Sequence, residues 1–448
     1  MSRGKITSAR EAALATLSAV EQQGAWAEPF LKKTLNEAGL SARDAALATR
    51  LTFGVLQSKL LLDFYISHYS AVKPQKLEKP VLNALRLGIF QMAFMDKIPV
   101  SAAVNESVTL TRKYGKNPRA PGLVNAVLRQ ISRTLEQLPP VIAGTALEEL
   151  SIHTSHPQWL VDEFARILEP SELEAFLQWN NLPPPVVAQV NTCRASVQEV
   201  VLSLEAAGAE VTPHPWMEGC LTLSGAGNLE QIPAYAKGCF YIQDASARLA
   251  AEVTGVEAGM RVLDVCAAPG GKSFAAAICM NNTGEVVSCD IHPHKQKLIE
   301  AGASRLGLSC VAACVMDAKQ PNEVFQNRFD VVIVDVPCSG LGIMRKKPDI
   351  RYRDPEPLLH LPELQREILH NVSSYVKPGG VLLYSTCTLR CAENEDVAAA
   401  FLQAHPDFTA EPFALPGGIA DGGSGMCTLW PQRHDTDGFF IAKLRRAL

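Results

Sequence analysis

Apolar residues recur every three or four positions over residues 12–20, 45–62 and 81–94. That spacing gives a helix one apolar face. Lys73-Pro74 and Lys79-Pro80 interrupt the pattern, further helices are predicted from Ser101 and over 124–135, and Pro139-Pro140 closes the run. Residues 1–140 therefore read as an all-α helical bundle domain. Over 141–235 the pattern mixes. Helices are predicted at 159–168 and 171–179, with Asn181-Leu182-Pro183-Pro184-Pro185 ending the second. Strands at 186–191 and 220–223 flank a helix at 196–207, which suits a small α+β domain. From 236 to 448, near-continuous apolar strands at 261–266, 285–290, 311–316, 330–335 and 381–386 alternate with helical segments, followed by a last strand at 438–444. Strands buried on both faces belong to a doubly wound, Rossmann-like parallel sheet.

A chain of 448 residues, 47% hydrophobic and 20% charged, has material for several cores. The opening MSRGKITSAREAALATL reads as an amphipathic helix carrying Arg10 and Glu11, without the unbroken apolar stretch of a signal peptide. No run reaches the length of a membrane span, so a cytoplasmic protein without membrane contact is expected. Twelve cysteines form no C-x-x-C pair. Cys310/Cys314 and Cys387/Cys391 are spaced as zinc ligands can be, but no histidine accompanies either pair closely, and no metal is expected. With a net charge of −4, any nucleic-acid surface must be a local basic patch.

In open α/β sheets ligands bind beyond the carboxyl ends of the strands, where this chain places its most distinctive residues. After the first strand come Cys266, Ala267, Ala268, Pro269, Gly270, Gly271 and Lys272. The glycines let backbone approach a ligand, and the next helix N-terminus favours an anionic group. Asp290 ends the second strand, suited to ribose hydroxyls. Asp317 follows the third, suited to an adenine amino group, and Asp335 ends the fourth. A dinucleotide enzyme would want G-x-G-x-x-G, and Pro269 breaks that pattern. The set favours S-adenosylmethionine.

Two cysteines also stand at strand ends, Cys338 in DVPCSG and Cys387 in YSTCT. Each alone reads as a buried structural thiol. Together beside a methyl donor they suit cytosine chemistry. A thiolate adding to carbon 6 makes carbon 5 nucleophilic, and a base then removes the carbon-5 proton so that the thiol is expelled. The motifs themselves leave the order of the two cysteines open.

CAAPGGKS, DVPCSGLGIMRKKPDIR, YSTCT and DGFFIAKL, in that order, resemble the RsmB (Fmu) family of 16S rRNA cytosine-carbon-5 methyltransferases. LRLGIFQ (85–91), AVNESV (103–108) and VNAVLR (124–129) resemble the NusB-like RNA-binding domain of the same proteins. The resemblance implies that Cys387 is the nucleophile and that Cys338 assists proton removal and release. It implies that residues 266–272 with Asp290, Asp317 and Asp335 hold the cofactor, and that Asp335 and Lys272 touch the cytosine. Ser273 stands where Thr is commoner, keeping a hydroxyl, and Val336 where Ala is. The implied substrate is 16S rRNA, naked or in an early assembly intermediate, and the implied state is a monomer. An enzyme of the same chemistry acting on tRNA or another rRNA cytosine, and a non-catalytic RNA-binding or antitermination factor, are the competing readings.

Arg345, Lys346, Lys347, Arg351 and Arg353 crowd the stretch after Cys338. Charge runs are usually solvated surface, but beside a catalytic cysteine phosphate binding is expected. A second basic stretch, from Arg112 to Arg119, is expected as a loop between two helices, with Tyr114 available for stacking.

Overall fold

The computed structural model describes residues 6–448; the first five residues of the predicted amphipathic stretch lie outside them. The chain forms two compact units, one of residues 1–183 with 344–353, the other of 184–343 with 354–448. The expected boundaries at 140 and 235 are not where these units part. The helices after Pro140 stay with the first unit, and the strands after Pro183 belong to the second.

The first unit is built from α1 (Ala9–Gln23), α2 (Ala27–Ala38), α3 (Ala42–Gln57), α4 (Lys59–Tyr69), α5 (Lys79–Phe94), α6 (Val100–Tyr114), α7 (Ala120–Arg133), α8 (Ala146–Thr154), α9 (Gln158–Ala165) and α10 (Pro170–Trp179). The Ser8 and Ser41 hydroxyls accept the Glu11 and Asp44 N–H groups and cap α1 and α3. α3 and α4, expected as one helix, part at Ser58. α2 was not expected, although its buried Ala27, Leu31 and Thr34 stand at helical spacing; the stripe they make is short and narrow. Of the basic stretch, Arg112 to Tyr114 form the last turn of α6 and residues 115–119 the loop to α7, and Lys113 pairs with Glu11. α5 is buried from Pro80 to Met92. Its Arg86 sits 3% exposed between Glu21 at 2.6 Å and Asp63 at 2.7 Å, which satisfies a charge that would otherwise be costly to bury.

The second unit holds two sheets. β1 (Val186–Val190), β2 (Glu210–Pro213), β3 (Cys220–Ser224) and β4 (Phe240–Ile242) form an antiparallel sheet in the order β2-β3-β1-β4. The larger sheet contains β5 (Arg261–Asp264), β6 (Glu285–Asp290), β7 (Val311–Val315), β8 (Phe329–Asp335), β9 (Val376–Thr386), β10 (Phe408–Ala410), β11 (Met426–Leu429) and β12 (Phe439–Arg446). Its order is β10-β12-β9-β8-β5-β6-β7, with β11 beside β12. β5 to β9 run parallel, whereas β10, β11 and β12 pair antiparallel, so the sheet is mixed. Period-2 alternation splits its strands between two cores. Val262, Ile333, Leu383 and Ile441 pack with Leu249, Ala276 and Ile299 on one face. Leu263, Val334, Tyr384 and Phe440 pack with Ile368, Leu369 and Phe401 on the other. Strand order reverses between β8 and β5, which opens a crevice at their carboxyl ends.

Candidate active site

The first side of this crevice is the turn from β5 into the helix Gly271–Cys279. Gly270 has φ 113°, and a Cβ there would fall 2.4 Å from the Phe274 ring. At Gly271 a Cβ would fall 2.8 Å from the Gln243 amide. The backbone thus stays bare where the helix N-terminus opens. Ala267 N–H donates to the Cys289 carbonyl at 2.7 Å and ties the turn to β6. Behind it, Ser288 donates to Ser273 and Ser273 to Asp264, each at 2.7 Å. Burial pushes the Asp264 carboxyl up to about 7, with the Ser273 hydrogen bond opposing. Burial also raises the Cys266 thiol, which stays protonated.

The three predicted aspartates stand at successive strand ends. Asp290, 5% exposed, accepts the His292 N–H at 3.0 Å and lies 3.3 Å from the Lys295 ammonium. Asp317 accepts the Lys319 N–H at 3.0 Å. Asp335 receives the Lys272 ammonium at 2.7 Å on one oxygen and the Ser385 hydroxyl at 2.9 Å on the other. Lys272 also lies 4.9 Å over the Phe439 ring, which brings the CAAPGGKS and DGFFIAKL motifs together.

Asp335 and Ser385 are register partners on β8 and β9. The chain therefore delivers Cys338 and Cys387 to the same spot a few residues on, with their sulfurs 3.3 Å apart. The hydrogen bond to Cys387, burial, and the negative charges of Glu393 and Asp335 hold the Cys338 thiol well above its ordinary range. Cys338 therefore keeps its proton, with its sulfur within hydrogen-bond distance of the Cys387 sulfur.

Several residues that shape this pair were missed from the sequence. Glu393 and Asn394 are buried beneath the two cysteine loops, and Gln365 reaches Glu393 from the helix Leu361–Ser373. Gly342 N–H donates to the Cys387 carbonyl at 2.9 Å, and a Cβ on Gly342 would fall 1.9 Å from the Gly438 carbonyl oxygen. In the sequence, Glu393 and Asn394 look like part of a solvated charge run (CAENED). The one available signal was an acid shortly after a strand-end cysteine.

The five predicted phosphate contacts lie in the segment 344–353, within the first compact unit. Arg351 is fully buried, donating to the Asn180 carbonyl at 2.6 Å and to Asn181 Oδ1 at 2.7 Å. Arg353 donates to the Gly24 carbonyl at 2.6 Å and the Ala25 carbonyl at 3.0 Å, its guanidinium 4.1 Å over Trp26. Arg345 donates to the Pro183 carbonyl at 2.7 Å and lies 4.5 Å over Trp179. Arg351, fully buried with internal partners, is a staple of the fold rather than a phosphate contact, while Arg345 and Arg353 stay half-buried. Lys346 is half-buried and Lys347 exposed.

Comparison with known proteins matches residues 253–445 to the family "16S rRNA methyltransferase RsmB/F", residues 7–133 to the NusB family, and residues 156–230 to an RsmF/B-like ferredoxin-like domain. The chain is 38% identical to a probable ribosomal RNA small subunit methyltransferase B of Bacillus subtilis, over 99% of both chains. It is 34% identical to the ribosomal RNA small subunit methyltransferase B of Vibrio cholerae, over 90% of both. Among solved structures, PH0851 superposes with a TM-score of 0.81 at 27% identity, covering 99% of this chain and 100% of that one. A methyltransferase homolog protein from Pyrococcus horikoshii superposes with a TM-score of 0.59 at 26% identity, covering 68% and 100%.

Proposed function

The chain belongs to the 16S rRNA methyltransferase RsmB/F family, and from that premise we propose that it methylates carbon 5 of a cytosine in 16S rRNA through a covalent adduct on Cys387. The observation that carries this reading is the 3.3 Å approach of two thiols, one held protonated, beside the Asp335–Lys272 pair. S-adenosylmethionine, when bound, supplies the methyl group on a sulfonium centre. The residues present suit it. The bare Gly270-Gly271 backbone at a helix N-terminus takes the methionine carboxylate. Asp290 takes the ribose hydroxyls and Asp317 the adenine amino group.

Cys387, as thiolate, adds to carbon 6 of the flipped-out base. Lys272 and Asp335, already hydrogen-bonded to each other, meet the polar edge of the cytosine. Carbon 5 then takes the methyl group, loses its proton to a base, and the Cys387–carbon 6 bond breaks with its electron pair returning to sulfur. Cys338 serves this last step. Lying 3.3 Å from the Cys387 sulfur, it assists removal of the carbon-5 proton and stabilises the departing Cys387 thiolate. The NusB-like unit supplies RNA affinity, with Lys346 and Lys347 as phosphate contacts. The substrate is 16S rRNA, naked or in an early assembly intermediate, met by one copy of the chain.

The test is incubation with labelled S-adenosylmethionine and unmodified 16S rRNA, with the methylated base mapped and the protein run on a denaturing gel. Cys387→Ala should abolish methylation. Cys338→Ala should accumulate a slow-migrating protein–RNA adduct that the double variant lacks. An adduct trapped by Cys387→Ala and not by Cys338→Ala would reverse the roles, and label on any atom but cytosine carbon 5 would refute the reaction.

A further inference from the structure

We propose that the consecutive residues Glu393 and Asn394 act as a two-sided clamp that positions the catalytic thiols, Glu393 gripping the chain around Cys338 and Asn394 gripping it around Cys387. The inference rests on the two-cysteine reading above and adds residues to which that reading gives no role.

The two grips are parallel in form. Glu393 Oε2 accepts the N–H of Ser339 at 2.9 Å and the Gln365 side-chain amide at 2.9 Å. The same Gln365 amide donates to the Pro337 carbonyl at 3.0 Å, so the residues on both sides of Cys338 are held. Asn394 Oδ1 accepts the Thr386 hydroxyl at 2.6 Å, and its Nδ2 donates to the Thr388 carbonyl at 3.0 Å. The residues on both sides of Cys387 are held in the same way. The Ser339 and Thr388 hydroxyls, 2.7 Å apart, close the ring.

Glu393 is fully buried and Asn394 is 1% exposed. Burying a carboxylate is costly unless it is paired and hydrogen-bonded, and Arg390 meets Glu393 at 3.3 Å. If filling space were the only need, an apolar side chain would serve without that penalty. Instead, the polar atoms of both residues are aimed at the immediate neighbours of the two cysteines. Adjacent Cα atoms are about 3.8 Å apart whatever the loops do. Anchoring each loop to one of two adjacent residues therefore converts a covalent spacing into a fixed sulfur–sulfur separation. Glu393 also places a negative charge near Cys338, together with Asp335, while Cys387 and Tyr384 complete the titratable groups facing that thiol.

The test uses the full chain with unmodified 16S rRNA, reading turnover, adduct on a denaturing gel and cofactor affinity by calorimetry. Glu393→Ala should release product slowly and accumulate adduct, with turnover down roughly a hundredfold, the loss expected when reacting groups shift by about 1 Å. Its affinity for S-adenosylmethionine should not change. Glu393→Gln, which keeps the oxygen for Ser339 and Gln365, should restore most of the release. In the Cys338→Ala background, the isosteric Asn394→Asp sets an oxygen against the Thr388 carbonyl and should slow adduct formation at least about tenfold on the same argument. A folded Glu393→Ala that turns over normally without adduct, while Cys338→Ala still traps one, overturns the clamp. If Glu393→Ala does not fold, an unchanged adduct rate in the Asn394→Asp variant overturns it instead. If Cys338→Ala traps nothing, the two-cysteine reading itself has failed and the clamp falls with it.

Discussion

Asp264 shows how much a single residue's meaning depends on its surroundings. In the sequence it is one more acid at the end of an apolar strand. In the fold it is 1% exposed, one oxygen bonded to Ser273 and the other without a hydrogen-bond partner. Its carboxyl is pushed up to about 7 by burial, against about 3.9 in an unfolded chain. Between those values the folded protein binds more protons than the unfolded one, so this residue makes stability fall as pH rises from about 4 to about 7 and leaves it level above. Asp264→Asn should remove that contribution. Denaturant melts across this range should show a smaller loss of stability with rising pH than in the unsubstituted chain. Equal slopes would mean that Asp264 ionises normally. Glu393 and Asn394 were illegible for the same reason, since no local pattern separates a buried acid from a solvated one.

At the scale of elements, strands and helices with a strong period were readable, and the short or unpatterned ones were not. β10 and β11 are three and four residues long and lie in a Gly- and Pro-rich stretch, too short for alternation to register. The charge density of the segment 344–353 points to phosphate binding and gives no sign of packing. What the segment does is structural. Tyr352 donates to the Leu56 and Ser155 carbonyls, each at 2.8 Å, and Asp349 accepts the Ala27 N–H at 3.2 Å. Arg351→Ala would leave the Asn180 carbonyl and Asn181 side chain without their donor, costing about 1–3 kcal/mol. Lys347→Ala, at an exposed side chain, should stay within about 0.5 kcal/mol. Thermal or urea melts of the two variants check the difference, and equal stability would make Arg351 dispensable to the fold.

For the molecule as a whole, the compact units are not consecutive stretches of chain. The backbone leaves the second unit after Ile343, completes the first through 344–353, and returns at Asp354. The compact unit that holds the helical bundle thus also takes in the segment 344–353. A fragment of residues 1–183 should melt below the temperature at which the same fragment melts with a synthetic 344–353 peptide present. The stabilisation should grow with peptide concentration, as linkage requires for a ligand of the folded state. No response to the peptide would show that the segment contributes nothing to the bundle's stability.

Local pattern by itself determined which elements exist and which chemistry they carry. Helical and strand periods, the glycine turn after β5, the aspartates at strand ends and the two cysteine motifs are each written within a few consecutive residues, because backbone preferences and turn geometry act at short range. Only the tertiary structure decided which polar groups lost their water, and that depends on contacts between residues far apart in the chain. Pairing β8 with β9 brought Cys338 to Cys387, and the hydrogen bond between them together with burial raised the Cys338 thiol above its ordinary range. Packing against Asn180 and Asn181 turned Arg351 from an expected phosphate contact into an internal hydrogen-bond donor.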